Sequence, residues 1–274
     1  MSRSRYLEFG GVAAATDLDE IGTLEYLQSA GFDGGALGDT RDLAVRNADS
    51  AFKFEPVGKN YCDFCFAPIM GAEYDRLRDG RERCVRCSAT VIATTEELAA
   101  LVTTARRYFE LTFDTSLDVA IDVRMVNAKE IAKRSGERFT PTSGVDARVL
   151  GFATSDKSGY SLFIENGSPA LATITTVVHE LTHIWQYLNW DPRMVALYYG
   201  EENSLIVHEG MATWAQVQYL LSTGERQYAA RQQAYAEARD DEYGEGFRLF
   251  AGQYPLRSHG IFGHATPFDS PRPL

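Results

Sequence analysis

The sequence predicts an α+β fold with a small cysteine-rich module on its N-terminal side. Three observations support this prediction: four cysteines lie within residues 62–87, strand-like segments are confined to about residues 117–166, and long helix-like segments come before and after them. Strands and helices in separate blocks indicate an α+β plan, because an α/β sheet would need them to alternate. Of the 274 residues, 45% are hydrophobic, which is enough to form a sizeable core.

The chain divides into four predicted segments. Residues 1–58 form an N-terminal extension rich in Gly, Asp and Ala, with one predicted helix from about Asp17 to Ala30. Residues 59–92 contain the four cysteines, residues 93–265 form the main domain, and residues 266–274 form a C-terminal tail. The extension carries no pattern that indicates chemistry.

Charge and cysteine distribution restrict the classes of function. The net charge is −11 and the pI is about 5.0, and an acidic surface repels phosphate backbones, so we expect no nucleic-acid partner. No stretch approaches the roughly 18 apolar residues that a membrane helix needs, and we read no signal peptide at the N-terminus, so we expect no membrane partner. All cysteines fall in two C-x-x-C pairs, which favours metal binding in a reducing compartment. We therefore expect a cytoplasmic protein.

The first half of the main domain is predicted to contain one long helix and three strands. Thr94 and Glu97 have the spacing of a capping box, and apolar residues recur after them at helical intervals. An alternating segment predicts a strand from about Leu117 to Val126, and the short helix after it is expected to end at Gly136. Two β-like runs, RVLGFATS and YSLFIEN, flank a turn at 156–159 and predict a hairpin. The second run is either a sheet edge, to which an extended peptide could pair, or an ordinary core strand.

Helices dominate the second half of the main domain. Ser168 and Pro169 are residue types favoured at the N-cap and at the first helical position, so a long helix is predicted from there through about Asn189. Two more helices are predicted, from about Glu202 to Ser222 and from about Glu225 to Asp240. The end of the chain, from residue 255, has the composition of a loop.

The long helix contains the motif His179-Glu180-Leu181-Thr182-His183. Histidines at positions i and i+4 project from the same face of a helix, so both imidazoles can reach one metal ion, and the intervening Glu180 can contact a water on that ion. The apolar residues gather on the opposite face, so the helix can be anchored in a core while it presents two ligands. The predicted core face consists of Ile174, Val177, Val178, Leu181, Ile184, Trp185 and Leu188. The alternative is a surface helix with two solvated histidines.

A catalytic zinc commonly takes three protein ligands and leaves one position open. The best third ligand is Glu209, because it lies near the buried stripe of the following helix, where an unpaired carboxylate would be costly. His208 falls nearly opposite and is the second choice, and a salt-bridged surface role is the alternative for Glu209. Gly210 would leave room for close approach to the first helix.

These residues predict a zincin-like domain of the gluzincin type that hydrolyses peptide bonds in protein or peptide substrates. Zinc lowers the pKa of its bound water, and Glu180 would act as general base. A separate donor should stabilise the oxyanion. We take Tyr243 as the first candidate, and the sequence leaves open Tyr198, Tyr199, His208, His259 and His264.

The cysteine module has the spacing of a zinc ribbon or LIM-like unit. Cys62 and Cys65 are followed after eighteen residues by Cys84 and Cys87, so two tight turns can aim four thiolates at one ion. Four protein ligands leave no open position, so the predicted zinc is structural. A redox pair and an iron centre are the competing interpretations. In total we expect two Zn²⁺ ions, one catalytic and one structural.

The ordered combination of YCDFC…CVRC, VVHELTHIW, an EG-containing helix and EYGEGFR resembles the plant organ-size-regulating LIM-peptidase family, the "DA-one" type, over about residues 61–250. HExxH alone is shared by many zincins, whereas the combination is more specific. The resemblance implies an HExxH peptidase, here a compact bacterial-type relative. It implies that His179, His183 and Glu209 bind the metal and that Glu180 is the catalytic acid. It also implies ubiquitin or ubiquitinated proteins as partners.

One alternative function stays open. The cysteine module could bind a protein partner while the HExxH helix holds a structural or vestigial metal, which would make the chain a non-enzymatic, zinc-stabilised interaction scaffold. The intact Glu180 favours the enzyme, because a structural metal site needs ligands but no base.

Overall fold

The structure is a computed structural model, and it describes residues 61–69, 74–135, 150–157, 159–258 and 260–269. This part has a mixed α+β fold, as the sequence predicts, with the four cysteines close to one another. The predicted N-terminal extension, with its helix from Asp17 to Ala30, lies outside the described residues. None of the helices described is both long and apolar enough to cross a membrane.

The described elements include both helices predicted after the HExxH helix, which span Ser204–Ser222 and Arg226–Ala238. A strand at Ile121–Val126 confirms the strand predicted from about Leu117. In chain order the elements are β1 (Tyr74–Arg76), β2 (Glu82–Cys84), α1 (Val85–Ser88), α2 (Thr95–Phe113), β3 (Ile121–Val126), α3 (Ala128–Ser135), β4 (Gly151–Asp156), β5 (Gly159–Glu165), α4 (Ala170–Asn189), α5 (Pro192–Tyr199), α6 (Ser204–Ser222), α7 (Arg226–Ala238), α8 (Glu242–Gln253) and a 3₁₀ turn (Pro267–Asp269).

Helix α2 begins with the predicted capping box. The Glu97 N–H donates to the Thr94 hydroxyl at 3.2 Å, and the Thr94 N–H donates to the Glu97 carboxylate at 3.1 Å. These two bonds satisfy N–H groups that have no partner within the helix, so the helix begins where its local sequence indicates. Its buried face includes Phe109 and Phe113.

Strand β5 lies in the centre of a three-stranded sheet, with β3 parallel on one side and β4 antiparallel on the other. The predicted hairpin of β4 and β5 is confirmed, with Asp156 opposite Gly159 at the turn. The option that YSLFIEN forms a sheet edge is wrong, because β3 covers its second side. Within the described ranges β4 pairs only with β5, so β4 is the edge strand that packs against α4.

Helix α4 packs against the sheet and against helices α2 and α6. Six of the seven predicted core side chains are buried, whereas Leu188, close to the end of the helix, is 43% exposed. The helix begins one residue later than predicted, because Pro169 and not Ser168 is the N-cap. The Ser168 carbonyl instead accepts a hydrogen bond from the Ile92 N–H at 3.0 Å, which ties the start of α4 to the end of the cysteine module.

Helices α6 and α8 cross at a pair of glycines. A Cβ atom on Gly210 would lie 2.7 Å from the carbonyl oxygen of Gly246, and one on Gly246 would lie 2.5 Å from the Gly210 Cα. Only residues without a side chain allow two backbones to come this close. The prediction that Gly210 allows close approach to α4 is therefore wrong, since α8, a helix that the sequence analysis did not predict, occupies this face.

The 3₁₀ turn near the C-terminus belongs to the core. Phe268 is 8% exposed, and its ring stacks on Phe113 at 4.4 Å and meets Trp185 edge-on at 4.9 Å. The assignment of residues 266–268 to a C-terminal tail is therefore wrong, because these three residues are buried and the ring of Phe268 packs between α2 and α4.

Candidate metal centres

Three potential metal ligands from two helices converge on one point. His179 and His183 lie one turn apart on α4, and Glu209 lies on α6. The two Nε2 atoms are 3.1 Å apart, and Glu209 Oε2 is 3.0 Å from His179 Nε2 and 3.4 Å from His183 Nε2. A tetrahedral ion with bonds of about 2.0 Å would place its ligand atoms about 3.3 Å apart. The three predicted ligands are thus brought together at distances that suit a single metal ion.

Two glutamines orient the histidine rings. His179 Nδ1 lies 2.9 Å from Gln216 Oε1, and His183 Nδ1 lies 2.9 Å from Gln186 Oε1. The Gln186 amide nitrogen donates to the His208 carbonyl at 3.0 Å, so its oxygen is the atom that faces His183. An amide oxygen can only accept, so each Nδ1 carries a proton and each Nε2 is the atom whose lone pair can bind a metal when the ring is neutral.

The charges of the three ligands stabilise one another. Burial acts to lower the pKa of His183, but the Glu209 carboxylate outweighs it and raises this pKa to about 9. Burial acts to raise the pKa of Glu209, but His183 and His179 hold it well below its usual range. The metal-free site therefore pairs a protonated imidazole with a carboxylate, and a bound cation would take the place of that proton.

Glu180 is buried beside this cluster. Its Oε2 atom accepts a hydrogen bond from the Ala153 N–H at 2.7 Å, which links α4 to the edge strand β4. Burial raises the pKa of Glu180, while His183 and His179 act to lower it. One carboxylate oxygen is therefore held by the sheet. The buried environment of Glu180 makes its carboxylate bind a proton more readily than an exposed carboxylate in water would.

Tyr243 contacts the metal-ligand cluster. Its ring stacks on the ring of His179 with centroids 5.9 Å apart, and the Arg239 guanidinium lies 4.2 Å from the Tyr243 ring centroid. Burial, followed by the charges of Glu209 and Glu180, raises the pKa of Tyr243. Its phenol therefore stays protonated at neutral pH, as a hydrogen-bond donor must.

The other oxyanion candidates are placed less favourably. Tyr198 and Tyr199 lie at the end of α5, and His264 is exposed. The Nδ1 atom of His208 faces the Ser204 carbonyl at 2.6 Å, within its own helix. His259 lies outside the described residues.

The four cysteines form a second, closed cluster. Their Sγ atoms lie within 4.8 Å of one another, none is in a disulfide, and Cys65 Sγ is 3.8 Å from Cys84 Sγ. A tetrahedral ion with metal–sulfur bonds of about 2.3 Å would place its sulfur atoms about 3.8 Å apart. Three of the cysteines are buried, and the Cys84 N–H points at Cys62 Sγ at 3.5 Å. Cys62, Cys65, Cys84 and Cys87 could therefore bind one zinc ion and leave no open position.

The sequence matches no protein-family model, and no curated protein or solved structure is significantly similar to it. What the protein does therefore has to be inferred from the two clusters and from the residues that surround them.

The motif EYGEGFR, to which the sequence assigns no role, positions helix α8. Gly246 allows the helix to cross α6 closely, and Arg248 Nη1 donates to the carbonyl oxygens of Glu237 at 2.9 Å and Arg239 at 2.8 Å. These contacts hold the N-terminal turn of α8 against the end of α7. Tyr243 lies in that turn, and the motif therefore places its ring on the metal-ligand cluster.

Sequence reasoning missed three residues around the cluster: Gln186, Gln216 and Arg239. Gln186 carries a local signal, since it is a polar residue three positions after His183 in an apolar stretch, and it is 1% exposed. Gln216 lies on α6 and Arg239 directly follows α7, so no local pattern connects them to the HExxH motif.

Proposed function

We propose that the protein is a zinc-dependent peptidase in which His179, His183 and Glu209 hold the catalytic ion. The observation that carries this proposal is the convergence of three ligand atoms at 3.0–3.4 Å beside a buried carboxylate, Glu180. Two imidazoles and one carboxylate are a donor set that zinc accepts in catalytic sites, with a fourth position left for water or substrate. When bound, zinc would polarise the scissile carbonyl and acidify a water molecule.

Glu180 would supply the proton transfers. The pKa of Glu180 is raised and therefore lies closer to neutral pH than that of an exposed carboxylate. The side chain can thus accept a proton from the attacking water and pass it to the leaving amine. The Ala153 N–H restrains Oε2, so the side chain is held in place before substrate binds. Preorganisation of this kind removes the cost of orienting the base during the reaction.

Tyr243 would donate a hydrogen bond to the developing oxyanion. Its phenol is protonated at neutral pH, and its ring is in contact with both the His179 ring and the Arg239 guanidinium. A fixed donor near a developing negative charge typically contributes a factor of about 10²–10³ to the rate.

The edge strand β4 would hold the substrate in an extended conformation. The Ala153 N–H points away from β5, because it donates to Glu180. Since backbone groups of a strand alternate in direction, those of Gly151 and Ser155 point to the same side, where no strand of the described residues pairs with β4. An extended peptide could add to this edge, and its backbone would then pass the metal-ligand cluster.

The alternative function, a non-enzymatic scaffold, is favoured by the hydrogen bond from the Ala153 N–H to Glu180. A Glu180 carboxylate that accepts from the sheet could serve only to fasten α4 to β4, and the two metals would then stabilise a non-enzymatic interaction scaffold. The two proposals can be distinguished with Glu180→Gln, a substitution that removes the charge of this side chain but keeps its shape.

The resemblance to the plant LIM-peptidases extends the proposal to substrate and compartment. Ubiquitin and ubiquitinated proteins are the first substrates and partners that we propose to test. The four free thiols are compatible with a reducing compartment, so we propose the cytoplasm.

The test compares wild type, Glu180→Gln and the control Glu225→Gln, which changes a partly buried carboxylate before α7. Zinc is measured by mass spectrometry, and cleavage with a mixture of quenched fluorescent peptides. We expect about two zinc ions per chain in all three proteins. Cleavage should fall by about 10²–10⁴-fold in Glu180→Gln alone. Cleavage that survives this substitution would exclude Glu180 as the base, and two zinc ions without any cleavage in wild type would favour the scaffold.

A further inference from the structure

A cavity of about 210 Å³ opens beside the metal-ligand cluster. His179, Glu180 and Thr176 line it from helix α4, and Tyr243 lines it from α8. Pockets that take whole drug-sized ligands have volumes of about 300–1,000 Å³. A cavity below that range, in contact with the candidate general base, has the size of a pocket for one large amino-acid side chain.

The opposite wall comes from the cysteine module. The first C-x-x-C turn contributes Phe64 and Phe66 to the lining of the cavity. The turn is fastened to helix α7, since the Tyr228 hydroxyl donates to the Phe64 carbonyl at 2.9 Å and the Arg231 Nε donates to the Cys65 carbonyl at 2.7 Å. The closed four-cysteine cluster therefore holds two aromatic rings at the edge of the candidate active site.

Phe66 occupies a backbone conformation that does not suit it. Its φ angle is 55°, in the left-handed region, where a side chain is strained and glycine is not. Asp114 is the other described non-glycine residue with positive φ, and it ends a helix and belongs to a residue type that tolerates this region. The turn thus carries a bulky ring at a position where glycine would be easier, and the ring stacks on Tyr235 at 4.7 Å. Strain of this kind is typical of functional sites.

Two charged side chains that line the cavity, Arg239 and Asp63, already have polar partners. Arg239 forms an ion pair with Asp241 at 2.5 Å, and its guanidinium lies over the ring of Tyr243. The Asp63 carboxylate accepts a hydrogen bond from the Glu82 N–H. Arg239 therefore offers no uncompensated charge to a substrate, and five of the residues that line the cavity are Phe or Tyr: Phe64, Phe66, Tyr228, Tyr235 and Tyr243.

We propose that the first cysteine turn is a specificity-determining wall of the active site, and that the cavity binds a large aromatic side chain next to the scissile bond. This inference rests on the proposed peptidase function. Phenylalanine and tyrosine fit because rings favour stacked or edge-to-face contacts with Phe64, Phe66 and Tyr235. The structural metal would then have a role in substrate selection, because it holds the turn that carries two of these rings.

The experiment uses the zinc-loaded full chain and a set of peptides in which the residues flanking the scissile bond are Phe, Tyr, Leu, Ala, Glu or Lys. We expect kcat/KM for Phe and Tyr to exceed that for Ala by at least about 10-fold. In Phe66→Gly the backbone strain is relieved, so the zinc at the four cysteines should be retained. The ratio of kcat/KM for the Phe and Tyr peptides to kcat/KM for the Ala peptide should fall toward one. Tyr74→Ala is the matched control, because it removes an exposed ring of the same module that does not line the cavity.

Two further measurements keep the test decisive. Thr176→Leu narrows the cavity from α4 and should also reduce the preference for aromatic residues, and it replaces Phe66→Gly if that variant loses zinc. In the Glu180→Gln background, peptide binding by fluorescence anisotropy should show the same order of preference without any cleavage.

Each outcome has a separate meaning. Cleavage without an aromatic preference, or with a preference for Glu or Lys, would overturn the inference and leave the peptidase proposal intact. An aromatic preference that is unchanged in Phe66→Gly would show that the cysteine turn does not select the substrate, and one that is unchanged in Thr176→Leu would show that the cavity does not bind the aromatic side chain. If no peptide is cleaved, the peptidase proposal fails, and equal binding of aromatic and alanine peptides would then overturn the inference as well.

Discussion

The crossing of α6 and α8 provides the sharpest prediction, because the two helices carry Glu209 and Tyr243 into the same site. In Gly246→Ala the new Cβ would lie 2.5 Å from the Gly210 Cα and 2.9 Å from the Gly210 nitrogen, where ordinary contacts begin at 3.4 Å. All of these neighbours are backbone atoms, which cannot rotate away. The backbone carbonyl oxygen of Ile206 would lie closer still, so the helices must move apart by more than the 0.9 Å that separates 2.5 Å from 3.4 Å.

This movement has two measurable consequences. Overpacking of a close-packed interface costs about 1–3 kcal/mol of the free energy of unfolding. Glu209 directly precedes Gly210, so its carboxylate moves with the backbone, and a misplacement of about 1 Å at a catalytic group can reduce the rate by about 10²-fold. We therefore expect Gly246→Ala to weaken both folding and zinc binding at the three-ligand site.

Gly252→Ala is the matched control, since a Cβ at this position of the same helix meets nothing within 4 Å. Alanine is the better helix former by about 1 kcal/mol, so this control is expected to be neutral or slightly more stable. The assays are urea unfolding of the metal-free proteins and zinc competition with a chromophoric chelator. If the two variants behave alike in both assays, the helices do not cross at Gly246 and the placement of Tyr243 has to be revised.

Four further predictions concern the metals and the residues that would bind them. Gln186→Leu removes the acceptor for His183 Nδ1 and should weaken zinc binding by about 10–100-fold, whereas Gln218→Leu, a buried glutamine that bonds to a loop away from the site, should not. Because Glu209 raises the pKa of His183 to about 9, zinc binding near pH 7 should release about one proton, and zinc affinity should rise with pH up to about 9; calorimetry in two buffers of different ionisation enthalpy checks this. The same ion pair stabilises the metal-free fold fully between the unfolded pKa of a glutamate, about 4.3, and that of a histidine, about 6.5, and this stabilisation is lost as the pH rises through about 9. Cys87→Ser should lower the zinc content from about two ions to about one and reduce the melting temperature, and an unchanged zinc content would contradict the closed cysteine site.

The predictions made from sequence succeeded where the signal is local. The Thr94–Glu97 capping box lies within one helical turn, and both of its hydrogen bonds are present. The His179 and His183 side chains share a face because the helix repeats every 3.6 residues. The hairpin of β4 and β5 has its turn residues next to each other in the chain. In each case the backbone geometry of a single element decides the outcome.

The predictions failed where two distant segments compete for one face. Gly210 was expected to contact α4, but α8 occupies that position, and nothing near Gly210 in the chain encodes the arrival of Gly246. From sequence, the segment YSLFIEN could have been an edge strand, but in the structure β3 pairs with its second side. Phe268 was assigned to a tail because a short polar segment around it shows no periodicity, although three aromatic side chains of the core surround its ring.

By itself, the sequence determined which groups could bind metal, since the spacing within HExxH and within each C-x-x-C follows from the geometry of one helix or one turn. The tertiary structure alone decided that Glu209 completes the first cluster, that Tyr243 stacks on it, and that Phe66 lines the cavity beside it. The physical reason is that contacts between elements depend on how their faces pack together, and the periodicity of a single element describes its own faces but not the partner that each of them meets.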